Sequence, residues 1–321
     1  MKKYEVSQSR PELNDMKSLT RTLVRNLHPV SLLLGCGSVL AGLSASVLRG
    51  GVALFPAFMT LLFALFLQMS ANEYYGYRCA RRNALSHPDS DDRQDRQYIV
   101  MHTLSNALAI LAATVAFPMV AHLKWVTVVY VVLMGALMYF YFGGPRPLVL
   151  TRWGLLVTFI FFGPIAVSGT AFVQRPSWEM LVPIAVYSVI SGVLAVNTHL
   201  SIQYLRRQED VRDGMTSLIY FKGIKLVRLI YLFNVALVCV LMMAFPFDLG
   251  FGGRLYGAVV PAWLIITAAF AVRHMNDFTQ KSALRIRLIV IVQYVTAMIV
   301  LLAVVLISME SYWIGILHPH H

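Results

Sequence analysis

The sequence is poor in charged residues. Asp, Glu, Lys and Arg make up 13% of its 321 residues, about half of the roughly 25% that soluble domains carry. Hydrophobic residues reach 58%, so the chain has too little polar surface to coat a globule in water. This balance excludes an ordinary water-soluble enzyme and favours a protein with several membrane-spanning helices.

Cysteine is also scarce. The three cysteines, Cys36, Cys79 and Cys239, lie far apart in the sequence, and no two of them form a Cys-x-x-Cys pair. The sequence therefore encodes neither a zinc knuckle nor a disulfide framework.

Long apolar runs dominate the remaining sequence. Each run approaches the length that a tilted helix needs to cross about 30 Å of hydrocarbon. We predict an all-α polytopic membrane protein, with residues 1–26 as a polar, uncleaved N-terminal tail and residues 27–321 as a single membrane domain. The nine predicted spans are Pro29–Leu48, Val52–Ala71, Tyr98–Val120, Trp125–Phe142, Leu148–Val173, Met180–Leu200, Leu226–Phe245, Tyr256–Val272 and Leu288–Ile307.

The basic residues fall on one side of this predicted topology. Of the 27 Lys and Arg residues, 23 lie on the side that holds the N terminus. The other side holds only Arg49, Lys124, Arg175 and Arg254. The positive-inside rule then places the N terminus in the cytoplasm and the protein in the cytoplasmic (inner) membrane. Because topology accounts for the net charge of +12, we expect no nucleic-acid partner.

Two connections on the cytoplasmic side are predicted to be longer and more charged than the rest. They run from Glu73 to Gln97 and from Tyr204 to Gly223, after the second and the sixth span. A spacing of four helices suggests two pseudo-related halves whose polar ends face one central cavity.

The second span closes on Asn-Glu-Tyr-Tyr-Gly, at residues 72–76. An acid and an amide are costly near lipid unless they face a protein cavity. This segment resembles the first motif of the UbiA-type intramembrane prenyltransferases, and most closely the menaquinone branch, the 1,4-dihydroxy-2-naphthoate prenyltransferases. The family motif reads Asn-Asp-Tyr-x-Asp with a further Asp behind it. Glu73, Gly76 and Arg82 stand at its three aspartate positions.

The resemblance extends over about residues 60 to 225. The segment Gly143-Gly144-Pro145-Arg146-Pro147 is similar to the family's Gly-Gly-Pro turn before the fifth span. After the sixth span, residues 206–218 resemble the family's Asp-x-x-x-Asp-x-x-x-Gly-x-x-Thr-Leu, with Arg206 at the first aspartate and Asp210 at the second. The family fold has nine transmembrane helices in two pseudo-related halves, which agrees with the span count.

The resemblance implies transfer of a polyprenyl group from its diphosphate to an aromatic acceptor, such as a quinone precursor. It implies Mg²⁺ as cofactor, held by carboxylates that neutralise the leaving group through the metal. The implied catalytic residues are Asn72, Glu73 and Asp210, with Glu73 and Asp210 as metal ligands. The residues expected to contact diphosphate or another anion are Arg78, Arg82, Arg146, Arg206 and Lys222, because guanidinium and ammonium groups suit phosphate oxygens.

The sixth span also carries a cluster of polar residues. His199 and Gln203 have the i, i+4 spacing that aligns side chains on one helix face, and Asn197 lies close by. We expect all three to contact the aromatic acceptor. Hydrogen bonds to neighbouring helices are an equally good reading of a histidine inside a membrane span.

Three readings of the altered motifs stay open. A working enzyme would draw on a relocated acidic set, for which the clustered candidates are Asp89, Asp91, Asp92 and Asp95. A catalytically inactive pseudoenzyme on the same fold would need no cofactor, and would bind an anionic isoprenoid, a phospholipid or a partner protein without Mg²⁺. In the third reading the arginines are anchors at the lipid head groups, and the cavity holds no ligand.

Overall fold

The computed structural model of the chain describes residues 29–47, 53–86, 92–123, 125–142, 148, 151, 153–174, 181–212, 218–244, 250–275 and 279–317. Within these ranges all the regular secondary structure is helical, as predicted. The predicted N-terminal tail, residues 1–26, lies outside the described residues.

The described helices follow the predicted apolar runs. They are α1 (Pro29–Val47), α2 (Leu54–Ser86), α3 (Asp92–Leu123), α4 (Trp125–Phe142), α5 (Gly154–Gln174), α6 (Leu181–Arg212), α7 (Leu218–Ala244), α8 (Gly250–His274) and α9 (Gln280–Leu317). A π-helical turn, Phe161–Ile165, interrupts α5. Pro164 lies inside this turn, and because proline has no backbone N–H, it disturbs the regular helical ladder there.

Seven of the described helices are long and apolar enough to cross a membrane. The described parts of α1 and α4 carry shorter apolar stretches, Val30–Ser46 and Thr127–Phe142. Many large apolar side chains point outward; Phe233, Phe270 and Ile299 are each more than half exposed. Lipid tails solvate such side chains as well as a protein core does. The protein is therefore a multi-pass membrane protein, while the full count of nine crossings stays a prediction.

The prediction of two long polar loops was wrong in extent. Helix α2 continues to Ser86 and helix α6 continues to Arg212, so both run well past the apolar part of their spans. Their last ten residues contain neither glycine nor proline and are rich in good helix formers such as Arg, Leu and Gln. The sequence places Pro88 and Gly214 two residues beyond the two helix ends, where such residues are expected to stop a helix.

The helices form a ring in chain order, and α9 packs against α1 to close it. Helices α1 and α6 also contact each other, and α1 packs on α5 as well. Helix α6 is the most enclosed span, with 72% of its spanning residues buried, against 50% or less in the other spans. The polar residues on the apolar part of α6 are thus held in the innermost part of the bundle.

Small residues and hydroxyl groups hold these central helices together. A Cβ atom at Gly163 of α5 would lie 2.5 Å from the backbone oxygen of Ser188 in α6, so the two backbones are in direct contact. Ser191 of α6 donates a hydrogen bond to the carbonyl oxygen of Phe162 at 2.8 Å. Close approach of this kind is the main source of helix association in lipid, where burial of apolar surface contributes little.

Candidate functional site

The first motif lies at the end of the apolar part of α2. Asn72 is buried, and its side-chain oxygen accepts hydrogen bonds from the Ser31 hydroxyl at 3.0 Å and from the Gln68 amide at 3.3 Å. Gln68 precedes Asn72 by four residues, so the two side chains share one face of α2. This network fixes Asn72 against α1. It uses the Gln68 amide nitrogen, and the Gln68 side-chain oxygen is left without a partner among the described residues.

Glu73 is the unusual member of this motif. Its side chain is fully buried, at 0% exposed, and neither carboxylate oxygen has a hydrogen-bond partner in the part of the chain that the structure describes. An isolated carboxylate that leaves water without compensation costs several kcal/mol or more. The site at Glu73 therefore suits a proton, a cation or a hydrogen-bond donor that the described residues do not supply.

Aromatic contacts connect the first motif to α6. The Tyr75 ring of α2 lies 5.8 Å from the Phe142 ring, edge to face, and Phe142 packs in the same way on Tyr141 at 4.7 Å between ring centroids. Tyr141 then reaches His199, with 6.4 Å between their rings. The end of α4 thus bridges the two helices that carry the predicted motifs.

His199 belongs to a directional chain of hydrogen bonds. The Thr158 hydroxyl donates to the carbonyl oxygen of Gly154 at 2.7 Å, so the Tyr141 hydroxyl, also 2.7 Å from it, donates to Thr158. The Tyr141 oxygen then accepts from His199 Nδ1, 3.1 Å away. This network assigns the proton of the neutral imidazole to Nδ1. His199 Nε2 has no hydrogen-bond partner within the described ranges, so its lone pair can accept a hydrogen bond.

The structure separates Asn197 from His199, two of the three polar residues predicted on the sixth span. His199 faces Tyr141 and Thr158, whereas the Asn197 oxygen accepts a hydrogen bond from the Asn234 amide of α7 at 2.8 Å. Asn197 also borders a small cavity of about 10 Å³ between α6, α7 and α9, and its amide nitrogen has no hydrogen-bond partner among the described residues. Gln203 is buried four residues after His199, and its side-chain oxygen has no partner in the same part of the chain. Whether these residues contact an acceptor stays a prediction.

The predicted anion-binding residues are described only in part. Arg78 lies half-buried on α2. The helical backbone at Arg82, Arg206, Asp210 and Lys222 is described, but their side chains lie outside the described residues, as do all of Arg146 and the side chains of the acidic cluster at positions 89–95. Their relation to Glu73 stays a prediction.

The fit of Mg²⁺ can be tested on Glu73. Mg²⁺ is commonly held by one or two carboxylates together with substrate phosphates and water. The two unpartnered oxygens of Glu73 supply one such carboxylate. Among the described residues no group of three or more His, Cys, Asp or Glu side chains comes together. The described residues therefore fit one cation that is held largely by its phosphate ligand.

An apolar cavity lies beside the first motif and was not predicted from the sequence. It has a volume of about 50 Å³ between α1, α2, α3, α4 and α5, and its walls include Val39, Phe63, Met134, Met138 and Phe162. Two of its polar wall residues, Gln68 and Thr127, each have a side-chain oxygen without a hydrogen-bond partner among the described residues. Gln68 could have been noticed in the sequence, because an amide inside an apolar span is costly unless it has a function.

Comparison with known proteins identifies the fold. No protein-family model matches the sequence, and no curated protein matches it. Among solved structures, an apo UbiA homologue from Aeropyrum pernix K1 is 18% identical with a TM-score of 0.58, over 83% of this chain and 98% of that chain. A UbiA homologue from Archaeoglobus fulgidus bound to DMAPP and Mg²⁺ is 14% identical with a TM-score of 0.60, over 88% and 99%. A structure of digeranylgeranylglyceryl phosphate synthase is 13% identical with a TM-score of 0.55, over 91% and 97%. The protein therefore has the all-helical membrane fold of the UbiA homologues.

Proposed function

We propose that the protein is a membrane prenyltransferase that moves a polyprenyl group from its diphosphate to an aromatic, naphthoate-like acceptor. The buried and unpartnered carboxylate of Glu73 is the observation that carries this proposal. It lies at the place where the resemblance puts the first metal-binding acid. The A. fulgidus homologue of the same fold was solved with a prenyl diphosphate and Mg²⁺, which supports the same assignment.

The reaction breaks the bond between the first prenyl carbon and the diphosphate oxygen, and the electron pair leaves with the diphosphate. A ring carbon of the acceptor then bonds to the prenyl cation, and that ring carbon loses a proton. Mg²⁺, when bound, neutralises the charge that develops on the leaving diphosphate. Glu73 and Asp210 hold the cation, while Asn72 fixes the end of α2. Arg78, Arg82, Arg146, Arg206 and Lys222 are assigned to the diphosphate oxygens.

The described residues around His199 suit the acceptor side of this reaction. His199 Nε2 and the Gln203 oxygen are both hydrogen-bond acceptors that find no donor among the residues the structure describes. A hydroxyl-bearing ring supplies the donors that they lack, and aromatic side chains such as Tyr75 and Phe142 stabilise a nearby cation through their ring faces. We assign the acceptor contacts to His199, Gln203 and Asn197. The positive-inside rule puts this end of the bundle at the cytoplasmic face.

The proposal is tested by a transfer assay with purified protein in lipid, Mg²⁺, a radiolabelled prenyl diphosphate and 1,4-dihydroxy-2-naphthoate. We expect a prenylated product whose formation stops in EDTA and in the Asp210→Ala variant. Product that forms equally well without Mg²⁺, or in the Asp210→Ala variant, contradicts the assigned mechanism. No product with any naphthoate or benzoate acceptor contradicts the function.

A second candidate follows from the replaced acids. Gly76 and Arg82 in the first motif and Arg206 in the second stand where the family has aspartates. Arginine repels a cation and forms paired hydrogen bonds with phosphate directly. In this alternative the protein is an inactive pseudoenzyme that binds an anionic isoprenoid or phospholipid, or a partner protein, without metal. Diphosphate binding that survives EDTA, together with an absence of product, distinguishes it from the enzyme.

A further inference from the structure

Helix α6 carries polar residues on two faces. His199 and Gln203 share the face that reaches Tyr141 of α4. Asn197 and Ser201 have the same i, i+4 spacing but are offset from that pair by two positions, so they lie on the far side of the helix. Both line the small cavity between α6, α7 and α9, and both are at most 2% exposed. This second face is directed away from His199.

Helix α7 brings two polar residues to the same cavity region. Tyr231 and Asn234 are three residues apart and therefore share one helix face. The Asn234 amide donates to the Asn197 oxygen at 2.8 Å. The Tyr231 hydroxyl donates to the Gln293 side-chain oxygen at 2.9 Å, and the Gln293 amide donates to the Thr267 hydroxyl at 2.8 Å. Two hydrogen-bond networks thus meet at the cavity, one between α6 and α7 and the other between α7, α8 and α9.

The polar atoms at the cavity form an incomplete set of hydrogen bonds. Asn197 Nδ2 has no acceptor among the described residues, although Asn197 is 1% exposed. Ser201 Oγ already donates to the Thr198 carbonyl oxygen at 2.7 Å, and the Tyr231 hydroxyl donates to Gln293. Both of these oxygens can therefore only accept. One donor and two acceptors are the complement of a molecule that accepts once and donates twice.

The size of the cavity limits what that molecule can be. Its volume of about 10 Å³ corresponds to one water-sized sphere, roughly the least space that holds a water molecule. An aromatic ring or a prenyl group does not fit. A cation does not suit the site either, because the group left to be satisfied on Asn197 is an N–H donor. Empty cavities are apolar, whereas a cavity with a buried unsatisfied donor calls for a hydrogen-bond partner.

We propose that this cavity binds one structural water molecule, which accepts a hydrogen bond from Asn197 Nδ2 and donates to Ser201 Oγ and to the Tyr231 oxygen. Three hydrogen bonds are typical of a buried water. This water joins the two networks and so connects α6, α7, α8 and α9. Ser201 precedes Asp210 by nine residues on α6, about 13 Å along the axis, so the water holds the helix that carries the second predicted motif.

The inference goes beyond the proposed transfer reaction and uses neither Mg²⁺ nor diphosphate. Because no ring fits beside the Asn197 amide, Asn197 acts on the acceptor through the position of α6. The direct acceptor contacts then belong to His199 and Gln203 on the other face.

The test measures water–protein NOEs on the full chain in lipid nanodiscs, with deuterated carbon positions and ¹⁵N-labelled Asn and Gln side chains. We expect the Asn197 amide protons to show a cross peak to water, with the sign of a molecule that tumbles with the protein. The Asn197→Leu variant assigns this signal. The Gln293 amide is the internal control, since it is also 1% exposed but donates to both Thr267 and the Leu264 carbonyl oxygen. We expect no water cross peak at Gln293.

Val290→Ile fills the cavity without changing its polar atoms. Val290 lines the cavity and is 2% exposed, and isoleucine adds one methylene group there. We expect the water cross peak at Asn197 to be lost. The hydroxyl groups of Ser201 and Tyr231 remain in this variant, so the loss also excludes proton exchange relayed through them. Val292→Ile, at a position 38% exposed on the same helix, is the matched control and should keep the cross peak.

A second measurement needs no variant. In an experimental structure of the wild-type protein that resolves ordered water, we expect density within about 3.2 Å of Asn197 Nδ2 and of the Ser201 or Tyr231 oxygen. An empty cavity in that structure overturns the proposal. So does a missing water cross peak at Asn197, or one that persists in folded Val290→Ile protein. None of these measurements involves turnover, so the transfer reaction stands or falls by its own assay.

Discussion

The Tyr141 hydroxyl lies 3.1 Å from Nδ1 of His199 and donates its own hydrogen bond to the Thr158 hydroxyl. This contact joins α4 to α6 inside the bundle and sets which nitrogen of the imidazole carries the proton. It gives His199 Nε2 the character of a hydrogen-bond acceptor whatever ligand the protein binds.

Replacing Tyr141 by Phe should therefore destabilise the protein and release the histidine tautomer. The variant leaves His199 Nδ1–H with only the Thr158 hydroxyl, 3.5 Å away, as an acceptor, and we expect the free energy of unfolding to fall by about 1–3 kcal/mol. Denaturant unfolding in detergent measures this loss, and ¹⁵N NMR of His199 reports the tautomer. Tyr139→Phe is the control, because Tyr139 is 54% exposed on the same helix. Equal stability of both variants would contradict the hydrogen-bond chain.

Glu73→Gln separates the charge of this residue from its packing. The variant removes a buried carboxylate that has no partner among the described residues, so the apo protein should be at least as stable as the wild type. In the wild type, Mg²⁺ with prenyl diphosphate at about 100 times the Kd should add about 2.7 kcal/mol of stability. We expect this gain to be lost in Glu73→Gln, as measured by thermal unfolding in nanodiscs. A full gain in the variant would remove Glu73 from the metal site.

Gly163→Ala tests the close contact between α5 and α6. The added methyl group would meet the Ser188 carbonyl oxygen at 2.5 Å and the Gly192 Cα at 3.1 Å. These are backbone atoms, so the helices must move apart, and we expect a loss of about 1–3 kcal/mol from overpacking. Thermal unfolding measures the effect. Gly135→Ala serves as control, and a Gly163→Ala protein as stable as that control would argue against this packing.

Gly35→Ala is expected to raise the stability of the protein. The nearest atoms to the added methyl group belong to the Gln68 side chain at 3.7 and 3.8 Å, which is ordinary contact. Alanine is the better helix former by up to about 1 kcal/mol. We expect Gly35→Ala and Gly135→Ala to gain similar stability in denaturant unfolding. A destabilised Gly35→Ala protein would mean that the cavity beside Gln68 is smaller than described here.

Apolar runs predicted the helices well, because a membrane span is a local property of about 20 consecutive residues. The ends of α2 and α6 were misplaced, since the apolar run stops at the bilayer while helix propensity in their polar ends continues to Ser86 and Arg212. An apolar run marks only the part of a helix that lies in lipid. The helix continues into the polar region wherever the residues there have high helix propensity.

The candidate site was predictable where motif residues are adjacent in sequence, as with Asn72 and Glu73. The contact of Tyr141 with His199 joins residues 58 positions apart, and no local pattern specifies such a pair. Gln68 and Thr127 were missed for the same reason: their shared cavity exists only after α2 and α4 have packed. Asn197 was grouped with His199 by its position in the sequence. It faces α7 instead, because residues two positions apart on a helix point in nearly opposite directions.

The closure of the ring between α1 and α9 has a consequence for biosynthesis. The Tyr294 hydroxyl donates to the Leu34 carbonyl oxygen at 3.0 Å, across 260 positions of the chain. Helix α1 leaves the ribosome well before α9, which supplies this partner. Helix α1 must therefore stay in the bilayer without this contact until α9 has been made. Truncation before Tyr294 should yield a nascent protein that quality-control proteases recognise and remove.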